Sequence, residues 1–401
     1  MIHVRFLDRT TPPHIATLIL VAGLAALSLN IFLPSLNAMA AHFGVDYGVM
    51  QLSVAAYLGM TAVLQLMIGP ISDRFGRRPV LLTATAIFIA ATIGALYAPN
   101  FTIFLICRLI QATIASGFAI GRAVVRDMVP PERAASMIGY VTMGMSLVPM
   151  VGPAIGGWLD QLFGWQGSFW LLALGGVAVF ALLWADLGET ASLRSTSFAA
   201  QFRAYPALFR SQRFWGYCLA AATASGAFFA FLGGAPYVGD TYYQMDSATL
   251  GLYFAAPAIG YMAGNFASGR YATRLGINRM IMVGAVVTTL GLALLAMLEL
   301  AGFTGPNIFF GFVICVGLGN GIMLPSANAG MLSVRPELAG SAAGLGGAIT
   351  IGGGAALSML AGLVLTPTSG PLPLVLIMAG SSAASILCVL WVIRRARQIG
   401  A

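Results

Sequence analysis

Charged side chains make up only 8% of this 401-residue chain, against about 25% in a soluble domain, so the position of each one is informative. The densest group lies between Gly69 and Leu81, in Gly-Pro-Ile-Ser-Asp-Arg-Phe-Gly-Arg-Arg-Pro-Val-Leu. Asp73, Arg74, Arg77 and Arg78 there form a tight charged knot between two long apolar runs. Gly76 permits a sharp reversal, and Pro79 suits the first turn of the next helix. A second feature is Arg108, about seven residues into an apolar run, with Gln111 on the same helix face at i+3. A permanent cation at that depth is costly, so it either faces a polar cavity or snorkels to the nearer surface. Guanidinium stays charged, so Arg108 cannot itself carry a proton. No histidine or carboxylate lies deep in an apolar run beside it, which argues against a membrane-embedded enzyme. His3, His14 and His42 sit outside or at the edge of the first run, and Cys107, Cys218, Cys315 and Cys388 sit inside runs as small hydrophobes, so no metal site or disulfide framework is expected. All 20 basic residues are arginine. Without lysine there is no Walker A loop, so ATP hydrolysis by that route is excluded.

These residues must be held by membrane-spanning helices. The chain is 59% hydrophobic with a mean hydropathy of +0.90. Twelve runs of about twenty residues are long enough to cross a bilayer. They lie near His14–Leu36, Val49–Ile71, Val80–Ala98, Thr102–Val124, Ser136–Leu159 and Ser168–Asp186, then Phe214–Tyr237, Thr249–Tyr271, Arg279–Leu300, Pro306–Asn328, Gly340–Leu365 and Pro371–Val392. The first run has no evident cleavage site and is expected to remain as a span. With the N-terminus in the cytoplasm, every arginine except Arg108 and Arg122 falls on the inner side. The outer loops carry Asp46, Asp160, Asp240, Asp246 and Glu299 instead. The positive-inside rule thus places both termini in the cytoplasm. It also accounts for the net charge of +8, leaving no reason to expect a nucleic-acid partner.

The expected organisation is an N-terminal six-helix bundle (1–188), a cytoplasmic linker (189–213) and a C-terminal six-helix bundle (214–401). In the linker Phe198, Phe202, Tyr205 and Phe209 recur at helical spacing among arginines, which fits either a short surface helix or a disordered connection. The halves read as repeats. Gly69, Arg74 and Gly76 have counterparts at Gly269, Arg274 and Gly276, and Pro34 is echoed by Pro236. Two repeated bundles with a site between them are the usual plan of a secondary transporter.

The stretch Gly69–Leu81 resembles the signature loop between the second and third helices of the major facilitator superfamily. The fifth run has Gly139, Val148, Gly152-Pro153 and Gly156-Gly157. It resembles the motif of the antiporter branch, with valine at 148 where glycine is expected. Close helix packing unrelated to transport direction is the other reading of those glycines. With Cys107-Arg108-Leu109-Ile110-Gln111 and Gly340-Ser341-Ala342-Ala343-Gly344, the chain resembles the drug-efflux group that includes bicyclomycin and chloramphenicol resistance proteins.

That resemblance implies an all-α membrane protein of twelve helices. It would export small amphiphilic drugs or metabolites across the inner membrane by alternating access, with proton antiport and no bound cofactor. A monomer is expected. Latch residues would be Gly69, Asp73, Arg74, Gly76, Arg77, Arg78 and Asp127, with Asp73 meeting the start of the eleventh helix when the inside is closed and Arg77 pairing with Asp127. Cavity candidates are Asn30, Tyr57, Arg108, Gln111, Met143, Phe228, Phe231, Tyr253, Phe254 and Tyr261; Met143 and Phe254 match cavity-lining positions of relatives. Where relatives commonly carry an acid in the first helix, this chain has Asn30, at about the depth of Arg108. An amide does not titrate near neutral pH. A preference for neutral, zwitterionic or anionic substrates over lipophilic cations follows. A metabolite carrier or facilitator of the same fold, without the usual proton coupling, is the alternative.

Overall fold

The structure, a computed structural model, describes residues 5–128, 148, 151–190, 205–335, 338–366 and 369–398. Among these residues every regular element is helical.

Among the described residues twelve helical rods follow one another, several of them interrupted. The first, α1, runs Ile15–Asn30 and is capped by His14, whose Nδ1 accepts the Ala16 N–H at 3.2 Å. The sequence reads as one continuous span here, but the helix breaks after Asn30. Pro34 has no N–H to donate, so a 3₁₀ turn, Leu33–Ser35, intervenes before Leu36–Phe43. The rod α2 comprises Tyr47–Met50 and Leu52–Phe75; α3 is Arg77–Leu96. The fourth, α4, runs Phe101–Gln111, tightens into a 3₁₀ turn at Ala112–Ala115, and resumes as Ser116–Met128. Then come α5 (151–163) and α6 (Gln166–Asp186).

The second half has α7 (Gln212–Tyr237), α8 (Ser247–Tyr253, then Ala256–Leu275), α9 (Ile277–Leu300), α10 (Pro306–Ser333), α11 (Ala339–Val364) and α12 (Leu372–Gln398). In the polar connection a helical turn covers 205–209; Phe198 and Phe202 lie outside the described residues. Among the described residues ten helices are long and apolar enough to cross a membrane.

The signature stretch is tighter than a loop. Its first part is the end of α2, its last part is the start of α3, and Gly76 alone forms the joint, at φ +98° and ψ 150°. That backbone region is essentially restricted to glycine. The repeat preserves the geometry: α8 and α9 meet at Gly276, at φ +80° and ψ 162°.

Within the first half α3 packs on α6 and α4, and α1 on α6; in the second, α10 packs on α8 and α9, and α7 on α11 and α12. Between the halves α2 packs against α11. Large apolar side chains such as Leu20, Val63, Leu174, Phe266 and Leu290 point outward, exposed. Lipid is an apolar solvent, so this surface is satisfied there and would be a liability in water.

Candidate functional site

Two ends and a centre organise the molecule. At the arginine-rich end, Arg77 is nearly buried and holds three partners. Its guanidinium pairs with Asp73 and with Asp127, at 3.2 Å from Nε to Oδ2, and Nη1 donates to Ser72 Oγ at 2.6 Å. Asp73 thus faces Arg77 here. Gly69 contributes its carbonyl, which accepts from Ser72 Oγ at 2.9 Å. Arg78 Nη2 donates to Trp184 O at 3.0 Å and its guanidinium lies 5.2 Å from the Trp184 ring; Arg74 lies 5.4 Å from the Phe75 ring.

Two acids that sequence reasoning left among the helix ends complete this region. Glu189 caps α3: its Oε1 accepts the Arg77 N–H at 2.9 Å and Oε2 the Arg78 N–H at 3.3 Å. A carboxylate at a helix N-terminus is favoured by the helix dipole. Asp186 is fully buried and accepts from Leu7 N and His14 N, each at 2.8 Å, and from Thr17 Oγ1 at 2.6 Å. It ties the N-terminal segment to α6. The signal available was a Gly-Glu pair directly after an apolar run, which is too common to single out.

At the arginine-poor end the halves are joined. Tyr47 donates to Gly233 O at 2.6 Å, Gln51 Nε2 to Ser358 Oγ at 2.7 Å, Gln161 Nε2 to Asp246 Oδ1 at 2.6 Å and Ser247 Oγ to Asp160 Oδ2 at 2.5 Å; Asn37 bonds Asp240. Among the described residues, all hydrogen bonds between the halves belong to this end. The glycines of α5 meet the same region. A methyl group on Gly156 would fall 1.6 Å from Ile31 O, and one on Gly157 2.0 Å from Ser247 O. Gly251 reciprocates against Pro153 O, while Gly152 lies beside Leu27 and Asn30. The motif therefore brings α5 into backbone contact with α1 and, across the halves, with α8. Gly139 and Met143 lie outside the described residues.

Between the halves is a cavity of about 330 Å³. Of the sequence candidates it is lined by Asn30, Tyr57, Phe228, Phe254 and Tyr261. Thr61, Ser225 and Asn320 also line it, and sequence reasoning missed them. Asn320 was findable, being an amide deep in the apolar run Gly-Leu-Gly-Asn-Gly. Arg108, Gln111, Phe231 and Tyr253 are not part of the lining. Phe231 is fully buried against Phe254 and Phe310, with ring centroids at 5.1 and 6.1 Å. Tyr253 bonds Asn307 and packs on Phe310.

Arg108 neither faces a polar cavity nor reaches the surface. It has no exposed area and is clamped between the rings of Phe32 and Tyr57, each 4.4 Å from its guanidinium carbon. Desolvated cation–π contacts of this kind contribute roughly 2 kcal/mol each. Nη1 donates to Gln111 Oε1 at 2.6 Å and Ser28 O at 3.3 Å, and Gln111 Nε2 is held by Thr92 Oγ1 at 2.7 Å. Nε and Nη2 have no hydrogen-bond partner. Asn30 does not bond Arg108; its Nδ2 donates to Ala26 O at 3.0 Å.

Among the described residues no arginine, histidine or carboxylate lines the cavity. Of its lining residues, Asn30, Thr61 and Asn320 each have a buried side-chain oxygen without a hydrogen-bond partner. The Asn30 amide orientation follows from its carbonyl partner, since only the NH₂ group can donate to Ala26 O. The remaining wall is apolar and aromatic, with Leu29, Phe118, Phe228, Phe229 and Phe254 prominent. Such a space takes an amphiphile without a full charge.

Residues 18–358 match the Major Facilitator Superfamily. The chain is 30% identical over 320 residues to the chloramphenicol resistance protein of Pseudomonas aeruginosa, covering 79% of this chain and 76% of that one. It is 27% identical to the bicyclomycin resistance protein homolog of Haemophilus influenzae, with 91% and 92% covered, and 27% identical to multidrug resistance protein D of Escherichia coli, with 92% and 93% covered. A solved D-xylose-proton symporter has the same fold, with a TM-score of 0.72 at 12% identity over 94% of this chain and 96% of that one. The helical repeat, the cavity between the halves and these likenesses converge: the chain belongs to the Major Facilitator Superfamily, in its drug-efflux group.

Proposed function

We propose that this inner-membrane transporter exports uncharged, amphiphilic drugs or metabolites by alternating access, exchanging them for protons. One observation carries the substrate preference: the cavity is walled by aromatic and apolar side chains and its polar atoms are neutral amides and hydroxyls. Among the described residues no carboxylate offsets the desolvation of a cation there, and Arg108 stands one ring behind the wall. The arrangement of inter-half hydrogen bonds supports alternating access. They join the arginine-poor end, while Asp73 and Arg77 pair within one half at the other. On the positive-inside assignment, with both termini in the cytoplasm, the hydrogen-bonded end is the one facing away from the cytoplasm. The superfamily likeness supports coupling to a proton gradient. Asn30 favours a second reading, facilitated movement without a proton, because among the described residues no acid lines the cavity to load one.

The test is drug accumulation in cells lacking their own pumps. Expression of the protein should lower the steady-state level of an uncharged amphiphile such as chloramphenicol. A protonophore should restore it; facilitated movement without a proton would speed equilibration and leave the steady-state level where it is without the protein. Equal accumulation with and without the protein, across a panel of uncharged amphiphiles, would contradict export.

A further inference from the structure

We propose that the arginine-rich end of the second half holds the phosphodiester headgroup of an anionic phospholipid. The site is a concavity of about 380 Å³ formed where three helices end together. Arg210, Ser211, Gln212 and Arg213 enter it from the start of α7 and the turn before it, Arg335 from the end of α10, and Arg395 from the end of α12. Four arginines therefore line one space, and among the described residues no carboxylate lines it. Like charges brought together repel unless an anion lies between them. Among the described residues Arg210, Arg213 and Arg395 form no ion pair. Arg213 Nε is buried without a hydrogen-bond partner, so its guanidinium is not spent on a neighbouring side chain through that nitrogen. The N-terminus of the 26-residue helix α7 adds its dipole in the same direction.

The surroundings favour a lipid as the source of the phosphate. Trp391 lies one turn before Arg395 on α12 and is exposed, as are Leu387 and Leu390. Phe209 is also exposed, and its ring packs on Trp215 at 5.7 Å. Aromatic side chains at a bilayer interface, next to guanidinium groups, place a headgroup at the arginines and acyl chains along the apolar helix face. Arginine is also the residue whose planar fork matches phosphate oxygens two at a time.

The experiment is native mass spectrometry and thermal unfolding of the purified full-length protein in detergent. Phosphatidylglycerol and cardiolipin are titrated against phosphatidylcholine of the same chains, with inorganic phosphate as a separate probe. Each arginine near a phosphate contributes on the order of five-fold in affinity. The anionic lipids should therefore be retained at least about ten-fold more strongly than phosphatidylcholine, and Arg213→Gln with Arg395→Gln should remove most of that difference. Arg395→Lys, which keeps the charge and loses the fork, should fall between. Arg279→Gln, at the same end but outside the concavity, should leave retention unchanged. Equal retention of anionic and zwitterionic lipid would overturn the proposal, as would an equal loss in Arg279→Gln. If inorganic phosphate matches the lipids at the same concentration, the site takes a small free anion and the lipid assignment fails.

Discussion

Tyr57 is at once a wall of the cavity and one face of the clamp on Arg108, whose guanidinium carbon lies 4.4 Å from its ring. A permanent cation is thus fixed behind the substrate space without entering it. Its field reaches the cavity through one aromatic ring, in surroundings of low dielectric.

Arg108→Met should therefore loosen charge selection more than it harms the fold. Replacing a buried cation that has no carboxylate by an apolar side chain of similar length is often neutral or stabilising. Binding of a lipophilic cation should rise by roughly ten-fold, the effect of about 1.4 kcal/mol of removed repulsion, with uncharged ligands little changed. Equilibrium binding of tetraphenylphosphonium to the purified variant measures this. An unchanged cation affinity would mean that Arg108 does not act on the cavity.

Asn30→Asp changes one atom and places a titratable group in the cavity. Cells expressing it should gain export of permanent cations, with a dependence on external pH that the parent lacks. Efflux of ethidium, followed by fluorescence, is a direct readout. No gain in a variant that folds and reaches the membrane would show that the amide is not the determinant of charge selection.

Gly76→Ala should destabilise by about 1–3 kcal/mol from its backbone conformation alone. An added methyl would also stand 2.3 Å from Glu189 Oε2. The two effects separate in a double-mutant cycle. Glu189→Ala removes the collision but not the φ strain, so the double variant should lose less stability than the two single changes summed. Strict additivity in thermal unfolding would show that the carboxylate does not rest on Gly76.

At the arginine-poor end Asp246 offers a pH test. The Thr249 hydroxyl and the Thr249 and Ala248 N–H groups hold its carboxyl below the usual aspartate range. A carboxyl lowered on folding adds stability above its unfolded pKa and loses it as pH falls through the folded value. The start of α8 and the Gln161 bond should therefore loosen only in strong acid, below about pH 4. Hydrogen exchange at 246–250 should rise there, and Asp246→Asn should exchange faster at neutral pH and show no acid step.

Much of the architecture was legible in sequence because lipid imposes it: long apolar runs, arginines on one side and a repeated Gly–Arg–Gly pattern leave few alternatives. Breaks in the rods were less legible. Pro34 signalled one, yet the turn after Gln111 has no proline and arises where Arg108 and Gln111 are pinned side by side. The candidate site was legible in kind more than in detail. Asn30, Tyr57 and Tyr261 stand on the cavity, but polarity alone could not distinguish Gln111, which is spent on Arg108 and Thr92, from Asn320, whose amide oxygen is unpartnered. Burial also reversed the reading of Arg108: a cation expected in a wet cavity is held by aromatic faces, a partner that depth in a helix does not reveal. Glu189 and Asp186 were passed over because their partners lie more than a hundred residues away.

Inside-out vesicles with an acidic interior and a pH-sensitive dye test whether the cavity selects uncharged amphiphiles for export, using matched uncharged and permanently cationic drugs, with empty-vector vesicles as control. An uncharged drug should dissipate the gradient only when the protein is present, and permanent cations should not. Dissipation by the cations, with none by the uncharged drugs, would contradict that selection.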